Sequence, residues 1–249
     1  MILRILFLLC LGAAISSPVV AEKGPLEGLT VALDVGHSKT RPGAISARGR
    51  PEFDFNLDTA RVIDEILERA GATCLIINET GTLRGLAERP QRAVRLGADV
   101  FISIHHDSVN DKYIRTWTPP GQTTVRKYSD RFRGYSVFCS EKNPMAEESR
   151  AIALMVGAAM REAGFRPTLH HAEKIPGENR PLIDRRTGVY EFTDLVVVKA
   201  APLPSILLEC GVIAHRDEEL DVAQRSYQER VGKAILAALI EARSKEVLP

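Results

Sequence analysis

Cysteine is scarce in this chain, with four residues in 249, and Cys10 lies in an N-terminal apolar stretch. The remaining Cys74, Cys139 and Cys210 are an odd, widely spaced set. They allow at most one disulfide and lack the close pairs of a structural zinc knuckle. An excess of either charge is also missing, since 33 Lys and Arg stand against 32 Asp and Glu. Nucleic-acid binders carry a basic surplus, so no nucleic-acid partner is expected. Beyond the first residues no apolar run approaches the roughly 20 residues that a bilayer-crossing helix needs. Internal repeats, low-complexity linkers and a Gly-x-Ser-x-Gly elbow are absent, which leaves one domain and no serine-hydrolase signature.

What is present begins with an export signal. Arg4 precedes an almost wholly apolar stretch from Ile5 to Ile15, and Ser16-Ser17-Pro18-Val19-Val20-Ala21 ends on a small residue. That is the layout of a secretory signal peptide spanning residues 1–21, with cleavage after Ala21 and a mature domain from 22 to 249. Cys10 follows Leu9, which does not fit a lipoprotein cleavage box. Removing the segment takes away Arg4 and no acid, so the mature chain is formally neutral. One basic bias remains, with Lys112, Arg115, Arg126, Lys127, Arg131 and Arg133 close together; it reads as a solvated loop or as a surface for an anionic polymer.

Strand-like and helix-like stretches then alternate. The pattern predicts an α/β fold, a single domain built on a mainly parallel twisted sheet with helices on both faces. Strands are expected at Thr30–Val35, Ala72–Ile77, Val100–Ile104, Tyr135–Phe138, Leu195–Lys199 and Ser205–Cys210. Helices are expected at Asn56–Ala70, Leu86–Leu96, Ala146–Ala163 and Tyr227–Ala242, with Pro90 tolerable only near a first turn. Residues 107–133 and 167–193 read as long irregular connections, the kind that usually carry function.

Three of the strands end in residues able to bind a metal or move a proton. His37 follows Asp34-Val35-Gly36, His105 follows Ile102-Ser103-Ile104, and Glu209 follows Ile206-Leu207-Leu208. In open α/β sheets ligands gather outside the carboxyl ends of the strands. Catalytic zinc commonly takes two imidazoles, one carboxylate and a water. Glu52, just ahead of the first helix, is the best carboxylate to join His37 and His105, with Asp54 as its competitor. Asp34 is placed to orient an imidazole from outside the ligand shell. Glu209 would be costly to bury unpaired; beside a cation it is suited to accept a proton from water and pass it on.

The stretches Leu33-Asp34-Val35-Gly36-His37, Glu52-Phe53-Asp54-Phe55-Asn56-Leu57, Ala98 through His105 and Leu207 through Ile213 occur in that order. Together they resemble the zinc-dependent N-acetylmuramoyl-L-alanine amidases of bacterial cell walls, a likeness that runs from about Leu29 to Leu239. Leu86-Ala87-Glu88-Arg89 and Gly134-Tyr135-Ser136-Val137-Phe138 add to it. The resemblance implies that His37, Glu52 and His105 hold Zn2+ and that Glu209 is the catalytic carboxylate. It implies a peptidoglycan substrate, cut between N-acetylmuramic acid and L-alanine during wall remodelling or daughter-cell separation. It also implies action in the periplasm or cell-wall compartment and an activity held in check; the length and composition of the 107–133 and 167–193 loops suit covering the site or receiving a protein activator, and a monomer is expected.

Ser38-Lys39 departs from the Gly-Gly common in that family, and His106 replaces a small residue. We read His106 as a neighbour of the ligands or a group behind them, His170 and His171 as exposed loop, and His215 as a surface turn residue. Two other readings use the same fold: a catalytically silent wall-binding or activator protein, and a zinc exopeptidase. Retention of both histidines and both glutamates speaks against the first.

Overall fold

The computed structural model describes residues 23–249. The proposed signal peptide, residues 1–21, and its cleavage junction with Glu22 lie outside the described residues. In chain order the elements are β1 (Thr30–Val35), α1 (Glu52–Arg69), β2 (Thr73–Ile77), α2 (Glu88–Arg95), β3 (Val100–Asp107), β4 (Arg115–Trp117), β5 (Arg126–Tyr128) and β6 (Ser136–Cys139). They continue as α3 (Ala146–Glu162), β7 (Leu182–Asp184), β8 (Val189–Glu191), α4 (Val196–Lys199), β9 (Ser205–Val212), α5 (Glu218–Val222) and α6 (Arg225–Ser244). Seven strands form one sheet in the order β2-β1-β3-β9-β6-β8-β7. Pairing is parallel except between β6 and β9 and between β7 and β8. The expected α/β architecture is therefore the observed one.

Strand alternation sorts the core. Val31, Leu33, Val35, Val100, Ile102, Ile104, Ile206 and Leu208 face the side covered by the long helices α1, α3 and α6. Ala32, Phe101, Leu207 and Phe138 face the opposite side, where they meet Ala93 of α2 and Val197 and Val198 of α4. The second cover is short, so the sheet is thinly roofed there. By the same alternation Asp34, Ser103, His105, Asp107 and Glu209 fall on this thinner side, at the carboxyl ends of three adjacent strands.

Several expectations need correction. Leu195–Lys199 is not a strand: Val196–Lys199 is a short helix. A brief apolar run suits burial in either form, and β6 already pairs with β9 on one side and β8 on the other. The missing strands lie inside the stretch expected to be irregular, as β7 and β8. Residues 107–133 likewise contain the β4–β5 hairpin, which is pinned by Trp117 donating its indole N–H to the Ala47 carbonyl at 2.9 Å. Helix α1 begins at Glu52, four residues ahead of expectation, because the loop before it supplies its cap. The first-turn amides of Glu52 and Phe53 donate to the carbonyls of Ala44 and Pro42 at 2.8 and 3.0 Å, satisfying donors that a helix leaves open. Pro90 sits in the first turn of α2, where no helical N–H is needed.

The turn leaving β1 is held by buried polar groups. Asn78, in a left-handed conformation (φ 63°), donates to the carbonyls of Val35 and His37 at 2.9 and 2.7 Å. Its side-chain oxygen accepts from the Leu83 amide at 2.9 Å. Replacing it leaves buried carbonyls unsatisfied, which costs about 1–3 kcal/mol. Asn78→Ala is expected to lower the unfolding free energy by roughly 2–3 kcal/mol, measured as a fall in urea midpoint at unchanged m-value.

Candidate metal and catalytic site

His37 follows Gly36 at the end of β1, at a backbone φ of 66° that few side-chain-bearing residues adopt. Besides Asn78, the guanidinium of Arg89 donates to the His37 carbonyl. Arg89 is itself held by Asp34 at 3.4 Å, and Asp34 also accepts from the Ser103 hydroxyl at 2.7 Å. Asp34 thus does not bond an imidazole, contrary to expectation. Alternation turns it toward α2, and it supports the His37 backbone through Arg89.

Glu52 lies between the two histidines. One carboxylate oxygen is 3.0 Å from His37 Nε2, and the other is 2.9 Å from His105 Nδ1. The same oxygens accept from the Ala44 amide (2.9 Å), the Asn56 side-chain amide (3.2 Å) and the His106 amide (3.3 Å). The Glu52 side chain is 5% exposed, His105 12% and His37 33%, so the cluster opens to solvent on the His37 side. Burial would raise the Glu52 pKa, but hydrogen bonds and charge from His105 and His37 hold it well below the usual carboxylate range. Asp54, the competing carboxylate, is exposed and takes no part in the cluster.

Backbone room is tight around these groups. A methyl group at Gly36 would lie 2.4 Å from His105 Nε2. One at Gly43 (φ 80°) would lie 2.3 Å from a Glu52 oxygen and 2.5 Å from the His37 ring.

The donor set fits a divalent transition cation. Two imidazoles and a carboxylate present ligand atoms that all lie within 4.8 Å of one another. Zinc bonds of about 2.0–2.2 Å would put tetrahedral neighbours roughly 3.4 Å apart.

Glu209 stands opposite His105 in the β3–β9 register, just before an irregularity that shifts the pairing to Asp107 and Val212. One of its oxygens is buried without a hydrogen-bond partner. Burial, then the negative charges of Asp107 and Glu52, push its pKa well above the carboxylate norm. Two cavities meet here. One of about 280 Å³ is lined by His37, His105, Arg89 and Val197, and another of about 200 Å³ by Glu209, His171, Arg180 and Phe138. Leu195 and Leu207 border both. A larger cavity, about 540 Å³ beside Phe165 and Tyr227, shares no lining residue with either.

His106 points behind the cluster, its Nδ1 2.8 Å from the Asn56 side-chain oxygen. Burial lowers its pKa to about 3, so it is neutral. The other histidines differ from expectation. His170 is buried and His171 nearly so, and both approach Asp107. Spacing could not reveal this, because the loop returns to the end of β3 from more than 60 residues away. His215 is in a turn but buried; its Nδ1 accepts the Asp217 and Glu218 amides at 3.1 and 3.3 Å, capping α5. Cys74, Cys139 and Cys210 are all unpaired. Asn78 and Asn56 were not singled out as site-building groups from sequence; an Asn just past a strand, in a left-handed turn, was the available signal for Asn78.

We expect Gly43→Ala to force Glu52 and the His37 ring apart. Imidazole ¹⁵N spectra should show altered His37 and His105 environments, and the left-handed backbone alone should cost about 1–2 kcal/mol of stability.

Comparison with known proteins agrees with this architecture. The family model of N-acetylmuramoyl-L-alanine amidase matches residues 31–241. The amidase LytC of Bacillus subtilis is 25% identical over 223 residues, covering 89% of this chain and 37% of LytC. The probable cell wall amidase LytH of Staphylococcus aureus is 24% identical over 220 residues, covering 88% of this chain and 60% of LytH. This chain therefore spans less than two thirds of either relative. Among solved structures, the CwlD amidase of Clostridioides difficile, in complex with the GerS lipoprotein, superposes with a TM-score of 0.64 at 18% identity, over 87% of this chain and 99% of CwlD. The chain belongs to the N-acetylmuramoyl-L-alanine amidase family.

Proposed function

We propose that this protein is an exported zinc amidase that hydrolyses the amide between the lactyl group of N-acetylmuramic acid and L-alanine in peptidoglycan. The observation that carries this reading is the convergence of His37, Glu52 and His105 at one rim, with Glu209 beside His105. Family membership supplies the substrate class.

His37, Glu52 and His105 would hold the zinc ion. When bound, the ion polarises the scissile carbonyl and makes water acidic enough to attack near neutral pH, with a pKa of about 7. The chain's own residues do the rest. The Asn78 side-chain amide and the Arg89 guanidinium, both donating to the His37 carbonyl, fix the His37 turn, and Glu52 is fixed by three amide donors, so the ligands need little rearrangement. The unpartnered oxygen of Glu209 accepts the proton that the attacking water gives up. As the C–N bond breaks, Glu209 returns that proton to the alanine nitrogen, leaving a lactyl carboxylic acid and a free amine; the acid then gives its proton to the amine or to solvent and becomes the carboxylate. Burial and the negative charges of Asp107 and Glu52 favour the protonated form of Glu209, and a cation held by the ligand cluster would oppose that shift, which suits a group that must both take and give. The cavities on either side of Leu195 and Leu207 offer room for the two halves of the substrate.

A protein activator fits the same reading. CwlD is found with a lipoprotein, and here the 107–133 and 167–193 segments flank the site and offer surface for such a partner. Export through residues 1–21 would deliver the enzyme to the wall compartment, and sequencing of the exported protein is expected to find Glu22 at its N-terminus.

The decisive experiment is digestion of purified murein with product analysis by mass spectrometry. Wild type should release stem peptides with a free alanine amine; other cleavage products would favour an exopeptidase. Glu209→Gln should reduce release by ~10²–10⁴-fold while retaining metal. His105→Ala should lose release together with the zinc held by His37, Glu52 and His105. A wild type that binds zinc yet releases nothing, with or without a partner, would refute the assignment.

A further inference from the structure

Asp107 lies two residues beyond His105 on the same face of β3. The loop after α3 brings His170 and His171 to it in a single tight turn. One Asp107 oxygen is 2.8 Å from His171 Nε2 and 3.3 Å from His170 Nε2. The other Asp107 oxygen accepts the Ser108 amide at 2.7 Å. Each imidazole is held from behind through its second nitrogen. His171 Nδ1 is 2.9 Å from a Glu178 oxygen, and His170 Nδ1 is 2.7 Å from the Thr168 hydroxyl. The two rings are 3.9 Å apart between centroids, and Phe132 stacks on His170 at 5.1 Å.

His170 Nε2 is buried, aimed at Asp107, and makes no hydrogen bond. A buried ring nitrogen without a partner marks an unmet interaction. Two imidazoles and a carboxylate with ligand atoms within 4.8 Å of one another supply a natural one. Imidazoles oriented by a carboxylate and a hydroxyl behind them are the usual support of a bound metal.

We propose that Asp107, His170 and His171 form a second site for a divalent transition cation, zinc being the natural candidate for this donor set. It shares no ligand with His37, Glu52 and His105. A cation there ties the 168–178 loop to the end of β3. His171 and Glu178 line the same cavity as Glu209, so the tie fixes one wall of the catalytic pocket. The site stands independently of the hydrolytic reading, because its ligands are distinct.

The test is metal stoichiometry on the purified chain, loaded with zinc and dialysed, together with ¹¹³Cd NMR of the wild type. Two equivalents of zinc and two cadmium resonances are expected. Asp107→Asn and His171→Asn should each retain one equivalent, and the His37→Ala/Glu52→Gln double variant should also retain one. Glu178→Gln should weaken one site by about 10–100-fold. One equivalent and one resonance in the wild type would overturn the proposal, as would two equivalents that survive in both the Asp107 and His171 variants. The cadmium spectrum needs no substitution, so it decides the matter even where a variant fails to fold.

Discussion

A carboxylate taken out of water must have its charge met, and Glu52 is the place where this chain faces that demand most directly. Its oxygens collect two imidazoles and three amide donors. Those partners come from the turn after β1, the loop before α1, α1 itself and the end of β3. Satisfying one buried charge therefore ties together four stretches of chain. It explains why α1 starts where it does, why Gly36 and Gly43 cannot carry side chains without displacement, and why the His37 turn is braced by Asn78 and Arg89.

The site's location follows from unequal cover on the two faces of the sheet. Three long helices close one face over a mostly apolar core. The other face has the short helices α2 and α4, so its strand ends keep space for polar groups and for cavities. The parity of β1, β3 and β9 delivers Asp34, Ser103, His105, Asp107 and Glu209 to that side. The proposed chemistry thus depends on a packing asymmetry as much as on the identities of the residues. Burial without a partner, which would be a defect elsewhere, leaves one Glu209 oxygen open, as the proposed proton transfer requires.

Much of the site was legible because strand ends are local signals. Apolar runs stopping at His37, His105 and Glu209 could be read one at a time, and a parallel sheet places such ends on one rim. Glu52 was readable as a carboxylate ahead of an amphipathic helix, though not as that helix's first residue, since its cap comes from Pro42 and Ala44 through backbone contacts. The Val196–Lys199 helix shows the limit from the other side. A valine-rich run favours strand by propensity, yet whether it pairs depends on neighbours that other parts of the chain had already claimed.

By its order of residue types alone the chain determined an alternating α/β sheet, its apolar interior and the residues at three strand ends, because hydrophobic period and turn residues act over a few positions. Only the folded molecule decided what His170, His171 and His215 do. Their environments are made by a loop return and a helix start that lie far away or depend on the orientation of the backbone. Adjacent histidines look exposed when read in a polar loop. They become buried partners of Asp107 once strand alternation turns that carboxylate toward them and α3 carries the chain back.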